Sequence, residues 1–185
     1  MRSVVISGPP AVGKTTVARA LAGEFGLEYL SGGDVLKGIA REEGFDSGGD
    51  DWWDTEEGMR FLDKRSKNPE FDRRVDDSLR ALFDEGGKVI TSYTLPWLVD
   101  DGIKIWLAGS HENSSRRMGS RDSIGMAEAL AITRRRYLAN KVLYKKMYDF
   151  EFGEDSSIFN VVINTDNLDA DQVIQSAKSQ VREML

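Results

Sequence analysis

The chain has no cysteine among its 185 residues. Disulfides, zinc–thiolate sites and thiol nucleophiles are therefore excluded. It has a single histidine, His111, to which no role is assigned. It lacks a basic excess, its formal net charge being −6. No overall positive field draws DNA or RNA, so nucleic acid is not an expected partner. Its apolar runs are all too short to span a bilayer, and its N-terminus enters a strand without a signal-peptide layout. No membrane partner is expected, and the cytoplasm is the expected compartment. What is present, 40% hydrophobic and 30% charged residues, suits one compact domain with a sizeable core, expected as a monomer. The expected partners are small anions, met by local clusters of positive charge.

The most specific feature is Gly8-Pro9-Pro10-Ala11-Val12-Gly13-Lys14-Thr15, which satisfies G-x-x-x-x-G-K-[ST] at every defined position. Residues 2–7 (RSVVIS) read as a short buried strand, and Thr15–Phe25 (TTVARALAGEF) reads as an amphipathic helix starting inside the motif. A strand turning through glycines into a helix N-terminus cradles phosphate, because backbone N–H groups and the helix dipole point at it. Lys14 adds a cation, and the Thr15 hydroxyl is placed to bind Mg²⁺. Residues Gly8 to Thr15, with Thr16, are thus the expected ATP-binding segment.

Apolar, β-branched runs recur along the chain at Val4–Ile6, Glu28–Leu30, Lys88–Thr91, Ile103–Leu107 and Phe159–Ile163. Being continuous rather than alternating, they read as strands covered on both faces. Helical periodicity falls between them, at Thr15–Phe25, Val35–Glu43, Phe71–Asp84, about 125–148 and Asp169–Met184. The last begins with Asp169 and Gln172, a capping-box spacing. Alternating strands and helices predict a three-layer α/β fold with a five-stranded parallel sheet, helices on both faces, and ligands beyond the C-terminal strand ends. Two stretches break the rhythm: the acidic–aromatic Asp46–Asp54 and the polar, arginine-bearing Ser110–Ser123. Both read as excursions from the sheet core.

Phosphoryl transfer needs two substrates held in line and cations around the moving group. Three clusters are candidates. Arg117 and Arg121 in Arg116–Arg121 share a face if helical, and two guanidiniums side by side suit an intervening anion. Arg134-Arg135-Arg136 cannot all share one face. Ser31-Gly32-Gly33-Asp34 leads into a helix that puts Lys37 one turn from Asp34, which suits a second phosphate or ribose, or simply a turn capped by Asp34.

With these residues in hand, the chain resembles the nucleoside monophosphate kinases. The phosphate loop, Leu30–Asp34 and the Arg117/Arg121 pair carry that likeness, and the segments Asn68–Asp76, Tyr144–Phe150 and Ser157–Thr165 resemble the short archaeal-type cytidylate kinases in particular. The resemblance covers nearly the whole chain. It implies a P-loop NTPase fold over 1–185, with a monophosphate-binding excursion at about 32–70 and a lid at about 110–136. It implies transfer of the ATP γ-phosphate to CMP or dCMP, with AMP as the alternative acceptor. Lys14, Arg117, Arg121 and Arg136 carry over as catalytic cations and Thr15 as the Mg²⁺ ligand. Ser31, Asp34, Lys37, Arg73 and Tyr93 fall to the monophosphate site, and Asn164–Asp166 lies near the ATP base.

Three departures stand out. Lys37 stands where the family carries arginine. Thr91 and Tyr93 take the acidic and arginine places after the third strand, and Leu143 stands in place of a lid arginine. Arg73, Arg74, Arg134, Arg135, Lys141 and Lys145 are the nearby cations available as substitutes. The departures leave open a nucleotide-binding protein without transfer, or a small-molecule kinase such as one for shikimate or gluconate. Trp52 and Trp53 fall in the acceptor excursion, either stacking on a base or closing that part as core.

Overall fold

The structure, a computed structural model, describes residues 1–49 and 52–185, with Asp54 described by its backbone alone. Asp50 and Asp51 of the acidic–aromatic stretch lie outside the described residues. Five strands, β1 (Val4–Ser7), β2 (Glu28–Ser31), β3 (Lys88–Thr91), β4 (Ile103–Ala108) and β5 (Val161–Asn164), form one parallel sheet in the order β2-β3-β1-β4-β5. Val5 registers with Ile90, and Ile6 with Ile105. The strand most central in the order is thus the one that leads into the phosphate loop.

The helices are α1 (Lys14–Phe25), α2 (Gly32–Glu42), α3 (Glu56–Lys67), α4 (Glu70–Asp84), α5 (Leu95–Leu98), α6 (His111–Asp122), α7 (Met126–Tyr148) and α8 (Ala170–Arg182). They cover both faces, as alternation along β1 dictates. Val4 and Ile6 meet Val17 and Leu21 of α1 and Val173, Ala177 and Val181 of α8. Val5, between them, joins Ile90 and the α2 and α4 residues Leu36, Ile39, Val75 and Leu79 on the other face. Val4, Val5 and Ile6 are fully buried, and each such side chain contributes roughly 1.5–3 kcal/mol of transfer free energy.

The central strands are covered on both faces as expected, but the edge strands are not. In β5, Val161 and Ile163 are buried while Val162 is 49% exposed. This alternation marks a strand with one wet face. The capping box at the start of α8 forms: the Asp169 carboxylate accepts from the Gln172 N–H and Gln172 Oε1 accepts from the Asp169 N–H. Asp34 is not the cap of α2. Ser31 Oγ accepts from the Asp34 N–H at 3.3 Å, so the helix starts at Gly32, three residues before the expected Val35.

Among the described residues, three helices were not expected: the one-turn α5 and the longer α3 and α6. α3 is capped by Thr55, whose Oγ1 accepts from the Gly58 N–H at 3.1 Å. Gly58 lies where an added Cβ would stand 2.0 Å from the Trp52 carbonyl oxygen, so only glycine lets α3 seat against that turn. α6 occupies the polar excursion and buries Asn113, Ser114 and Ser115 beside Met118, a largely polar face that gives no apolar stripe. Among the described residues, no helix is long and apolar enough to cross a membrane.

Because all five strands are parallel, the loops at 8–13, 92–94, 109–110 and 165–169 gather at the same edge of the sheet. That edge holds the site, as open parallel sheets require.

Candidate functional site: a cleft between the phosphate loop and helices α3, α4 and α7

The loop after β1 approaches the neighbouring strand closely. Gly8 has φ +149°, and a Cβ there would lie 2.4 Å from the Leu107 carbonyl oxygen. The glycine therefore lets the loop bend back over β4 toward the start of α1. Lys14, the first residue of α1, folds across the loop. Its Nζ donates to the Gly8 carbonyl at 2.9 Å and the Pro9 carbonyl at 2.6 Å. The same Nζ sits 4.6 Å from the centroid of the Tyr93 ring. Burial pulls the Lys14 pKa below its ordinary value; Tyr93 opposes that shift and Arg136 adds to it. Thr15 and Thr16 follow on the exposed first turn of α1 and line the cleft.

The cleft has a volume of about 610 Å³, in the range of small-ligand sites. Toward the helix α6 end it is lined by Val12, Arg117, Met118, Arg121 and Val173, and toward the α3–α4 end by Lys37, Trp53, Arg65, Asp72 and Asp76. Lys14, Thr15, Tyr93 and Arg136 line it as well. Phosphate loop and acceptor candidates thus share one continuous space.

At the α6 end, Arg117 bridges two loops. Its Nη1 donates to the Val12 carbonyl at 2.9 Å and Thr165 Oγ1 at 3.0 Å, and Nη2 donates to the Thr165 carbonyl at 3.0 Å. Burial lowers its pKa, against the pull of Asp166. Asp166 in turn accepts from the Ser110 N–H at 2.8 Å, Ser110 Oγ at 3.0 Å and Asn113 Nδ2 at 3.2 Å. These bonds, led by that from the Ser110 backbone, hold the Asp166 pKa low. The N-terminus of α6 is thereby fastened to the loop after β5. Arg121 shares the helical face expected of it and also bonds Asp122, with Nη2 to Oδ2 at 2.6 Å. Arg136 reaches the cleft while its neighbours do not. Arg134 pairs with Glu112 and Arg135 with Asp63, both at the surface.

At the α3–α4 end the structure rearranges the expected set. Ser31, Asp34, Lys37 and Tyr93 line the cleft. Lys37 is buried, and its Nζ donates to the Gly49 carbonyl at 2.6 Å. Arg73, assigned to this site from sequence, is on the exposed side of α4 and outside the cleft lining. The reason is helical phase: α4 buries Phe71, Asp72, Val75, Asp76 and Leu79, which turns Arg73 and Arg74 outward. Arg74 pairs with Glu42 there. Lys141 pairs with Glu154, and Lys145 with Asp149 and Glu151. None of these substitutes enters the cleft.

The cation that does enter from α3 is Arg65, which sequence reasoning missed. It is 6% exposed. Its Nε donates to Asp72 Oδ2 at 2.8 Å and its Nη2 to Asp72 Oδ1 at 2.5 Å, a two-point pair. Nη2 also donates to the Tyr144 hydroxyl at 2.8 Å, and Nη1 to Asn140 Oδ1 at 3.3 Å. Burial by itself would lower the Arg65 pKa, but the Asp72 carboxylate reverses this and drives it well above the ordinary value. The available signal was Arg65 four residues after Phe61, on the buried stripe of α3. One turn along α4, Asp76 takes hydrogen bonds from Thr94 Oγ1 and from the Tyr148 hydroxyl at 2.7 Å. Burial raises its pKa to about 6.

Leu143 is buried with Trp106, Tyr144 and Phe152, and Tyr93 lies against that cluster. The Tyr93 and Leu143 positions therefore belong to one largely apolar wall. Trp52 is core, edge-on to Trp53 and tilted against Phe61, whereas Trp53 is half-buried and lines the cleft. His111 lies outside the cleft, edge-on to Tyr137.

Comparison with known proteins agrees with this geometry. A family model described as an AAA domain matches residues 7–107, from the end of β1 into β4. A cytidylate kinase of Ignicoccus hospitalis is 30% identical over 180 residues, covering 96% of this chain and 98% of the relative. A cytidylate kinase of Sulfurisphaera tokodaii is 30% identical over 185 residues, covering 98% and 96%. Among solved structures, a shikimate kinase from Acinetobacter baumannii in complex with shikimate superposes with a TM-score of 0.58 at 18% identity, covering 100% of this chain and 94% of that one. At that identity the likeness shows the fold alone. The chain is a member of the cytidylate kinase family, built on the P-loop domain that the AAA-domain model describes.

Proposed function

We propose that the protein transfers the γ-phosphoryl group of ATP to cytidine monophosphate or its deoxy form, giving ADP and the diphosphate. The observation that carries this reading is the continuity of the cleft. Lys14 and the start of α1 stand on one side, and Ser31, Asp34 and Arg65 line the other, within one space. The named activity of the two relatives supports the choice of CMP. AMP is the alternative acceptor.

In this reading the α1 N-terminus and Lys14 hold the β- and γ-phosphates. A non-bridging oxygen of the acceptor phosphate attacks the γ-phosphorus, the bond from that phosphorus to the β-bridging oxygen breaks, and ADP leaves. Arg117, Arg121 and Arg136 supply positive charge around the transferred group. Thr15 fits a magnesium ligand: its hydroxyl is exposed at the helix start and no described residue bonds it. Magnesium characteristically takes one or two protein oxygens and completes its shell with phosphate and water. When bound, it neutralises phosphate charge. We read the chain as a single domain acting as a cytoplasmic monomer. Its acceptor-binding excursion spans about 32–70 and its lid about 110–136.

A second reading rests on a specific observation. Lys37 is held by Gly49 and Arg65 by Asp72, so both acceptor-side cations already have partners. This favours weak acceptor binding, and in the extreme a nucleotide binder with little transfer. A coupled ADP-release assay over CMP, dCMP, UMP, AMP, GMP and dTMP separates the two. Turnover with CMP or dCMP that disappears in Lys14→Ala supports the kinase. Tight ATP binding with no turnover on any acceptor supports the second reading.

A further inference from the structure

The α3–α4 end of the cleft is tied to α7 by one side chain. Arg65 of α3 holds Asp72 of α4 at two points and, on α7, bonds Asn140 Oδ1 at 3.3 Å and the Tyr144 hydroxyl at 2.8 Å. Arg65, Asp72, Asn140 and Tyr144 are 6, 5, 5 and 2% exposed. These bonds take four N–H groups of the guanidinium and leave one hydrogen on Nη1. Arg65 is thus committed to the protein and keeps little in reserve for a ligand. A second tie lies one turn further along: the Tyr148 hydroxyl donates to Asp76 of α4 at 2.7 Å. The α3–α4 pair therefore grips α7 at Asn140, Tyr144 and Tyr148, about one turn apart from each other.

Arg136, read as a cation of the transfer step, stands four residues before Asn140 on the same unbroken helix. Residues at that spacing are neighbours on a helix surface, and Arg136, Asn140 and Tyr144 all line the cleft. Lys14 lines it too, and the charge of Arg136 acts on that lysine. A helix passes a displacement from one turn to the next, because each turn is hydrogen-bonded to the one before it. A guanidinium that must meet a moving phosphoryl group tolerates little error: a misplacement of about 1 Å costs on the order of 100-fold in rate.

We propose that Arg65 is a positioning residue for phosphoryl transfer: by holding Asn140 and Tyr144 it fixes the placement of α7, and through α7 it sets where Arg136 stands in the cleft. The acceptor-side helices α3 and α4 and this transfer cation then form one mechanical unit. The inference rests on the monophosphate kinase reading and adds to it the residue that positions one of its cations.

The test separates positioning from binding. Tyr144→Phe and Asn140→Leu each remove one bond from Arg65 to α7 and leave the Arg65–Asp72 pair in place. Single-turnover quench experiments at saturating ATP and CMP give the rate of the transfer step, and calorimetry gives the affinity for each substrate. Each variant is expected to slow transfer by about tenfold while both affinities stay within about twofold of the wild type. The same substitutions are then made in an Arg136→Lys background. There their effect shrinks to about twofold or less, because lysine lacks the fork whose placement they disturb. Thermal melting reports whether each variant is folded, and should Asn140→Leu fail to fold, the milder Tyr144→Phe decides alone. Three results overturn the inference and leave the kinase reading standing: an unchanged transfer rate in the folded variants, a loss confined to CMP affinity, or the same fractional loss of rate in the wild-type and Arg136→Lys backgrounds. A wild type that does not phosphorylate CMP overturns the kinase reading, and the inference falls with it.

Discussion

The ring of Tyr93 lies under the ammonium of Lys14, 4.6 Å from nitrogen to centroid. Tyrosine thus faces the phosphate-loop cation across the cleft, at a place where the resemblance to monophosphate kinases implies an arginine. Burial drives the Lys14 pKa down and Tyr93 holds it up. Removing the ring removes the support, so Lys14 loses its proton at a lower pH. In Tyr93→Leu the alkaline loss of ATP binding moves to lower pH than in the wild type, with Tyr93→Phe between the two. ATP titrations from pH 7 to 10 check this. Superimposable profiles for the wild type and Tyr93→Leu would show that the ring does not support Lys14.

Arg65 and Asp72 form a buried ion pair, each side chain 7% exposed. Removing one partner leaves the other charged and buried, which costs about 3–5 kcal/mol. Arg65→Leu or Asp72→Leu alone is expected to destabilise by that order, and the double substitution by less than the sum of the two. Urea unfolding of all four proteins measures the difference. Additive costs would mean that the pair is not coupled.

Asp76 is 4% exposed, and burial raises its pKa from 3.8 to about 6. A raised carboxyl pKa means that the folded state holds the proton where the unfolded chain has lost it. This contribution is complete below about pH 4 and is lost as pH rises through about 6. Relative to Asp76→Asn, the wild type should therefore lose on the order of 2–3 kcal/mol between pH 4 and 7. Denaturation midpoints of both proteins across that range test it. A gap between them that stays constant with pH would mean that Asp76 does not titrate there.

What was legible in the sequence was what contiguous residues determine. The phosphate loop is a single stretch, and β1, β3 and β4 are unbroken apolar runs because helices cover both their faces. α8 announced itself by Asp169 and Gln172, which do form the capping box. α6 did not, because it buries Asn113, Ser114 and Ser115, so its inner face looks like its outer one. α3 buries Gly58 and Arg65 around Phe61, which disguises its stripe in the same way.

The α3–α4–α7 wall of the cleft was illegible for a different reason. Arg65 meets Asn140 and Tyr144 across 75 and 79 residues of chain, and no local pattern encodes such a meeting. Lys37 lines the cleft, but its bond to Gly49 joins residues twelve positions apart, which no local pattern encodes. Arg73 was misplaced because the resemblance of residues 68–76 names a segment without giving the phase of α4.

The central claim is transfer of the γ-phosphoryl group to a cytidine monophosphate. Incubating the protein with γ-labelled ATP, magnesium and CMP tests it most directly, with the products separated and the label followed. The account predicts that label leaves ATP and appears in CDP, and that Lys14→Ala abolishes the transfer. Label recovered only in unreacted ATP or inorganic phosphate, with none in CDP or dCDP from the matching acceptors, would contradict it.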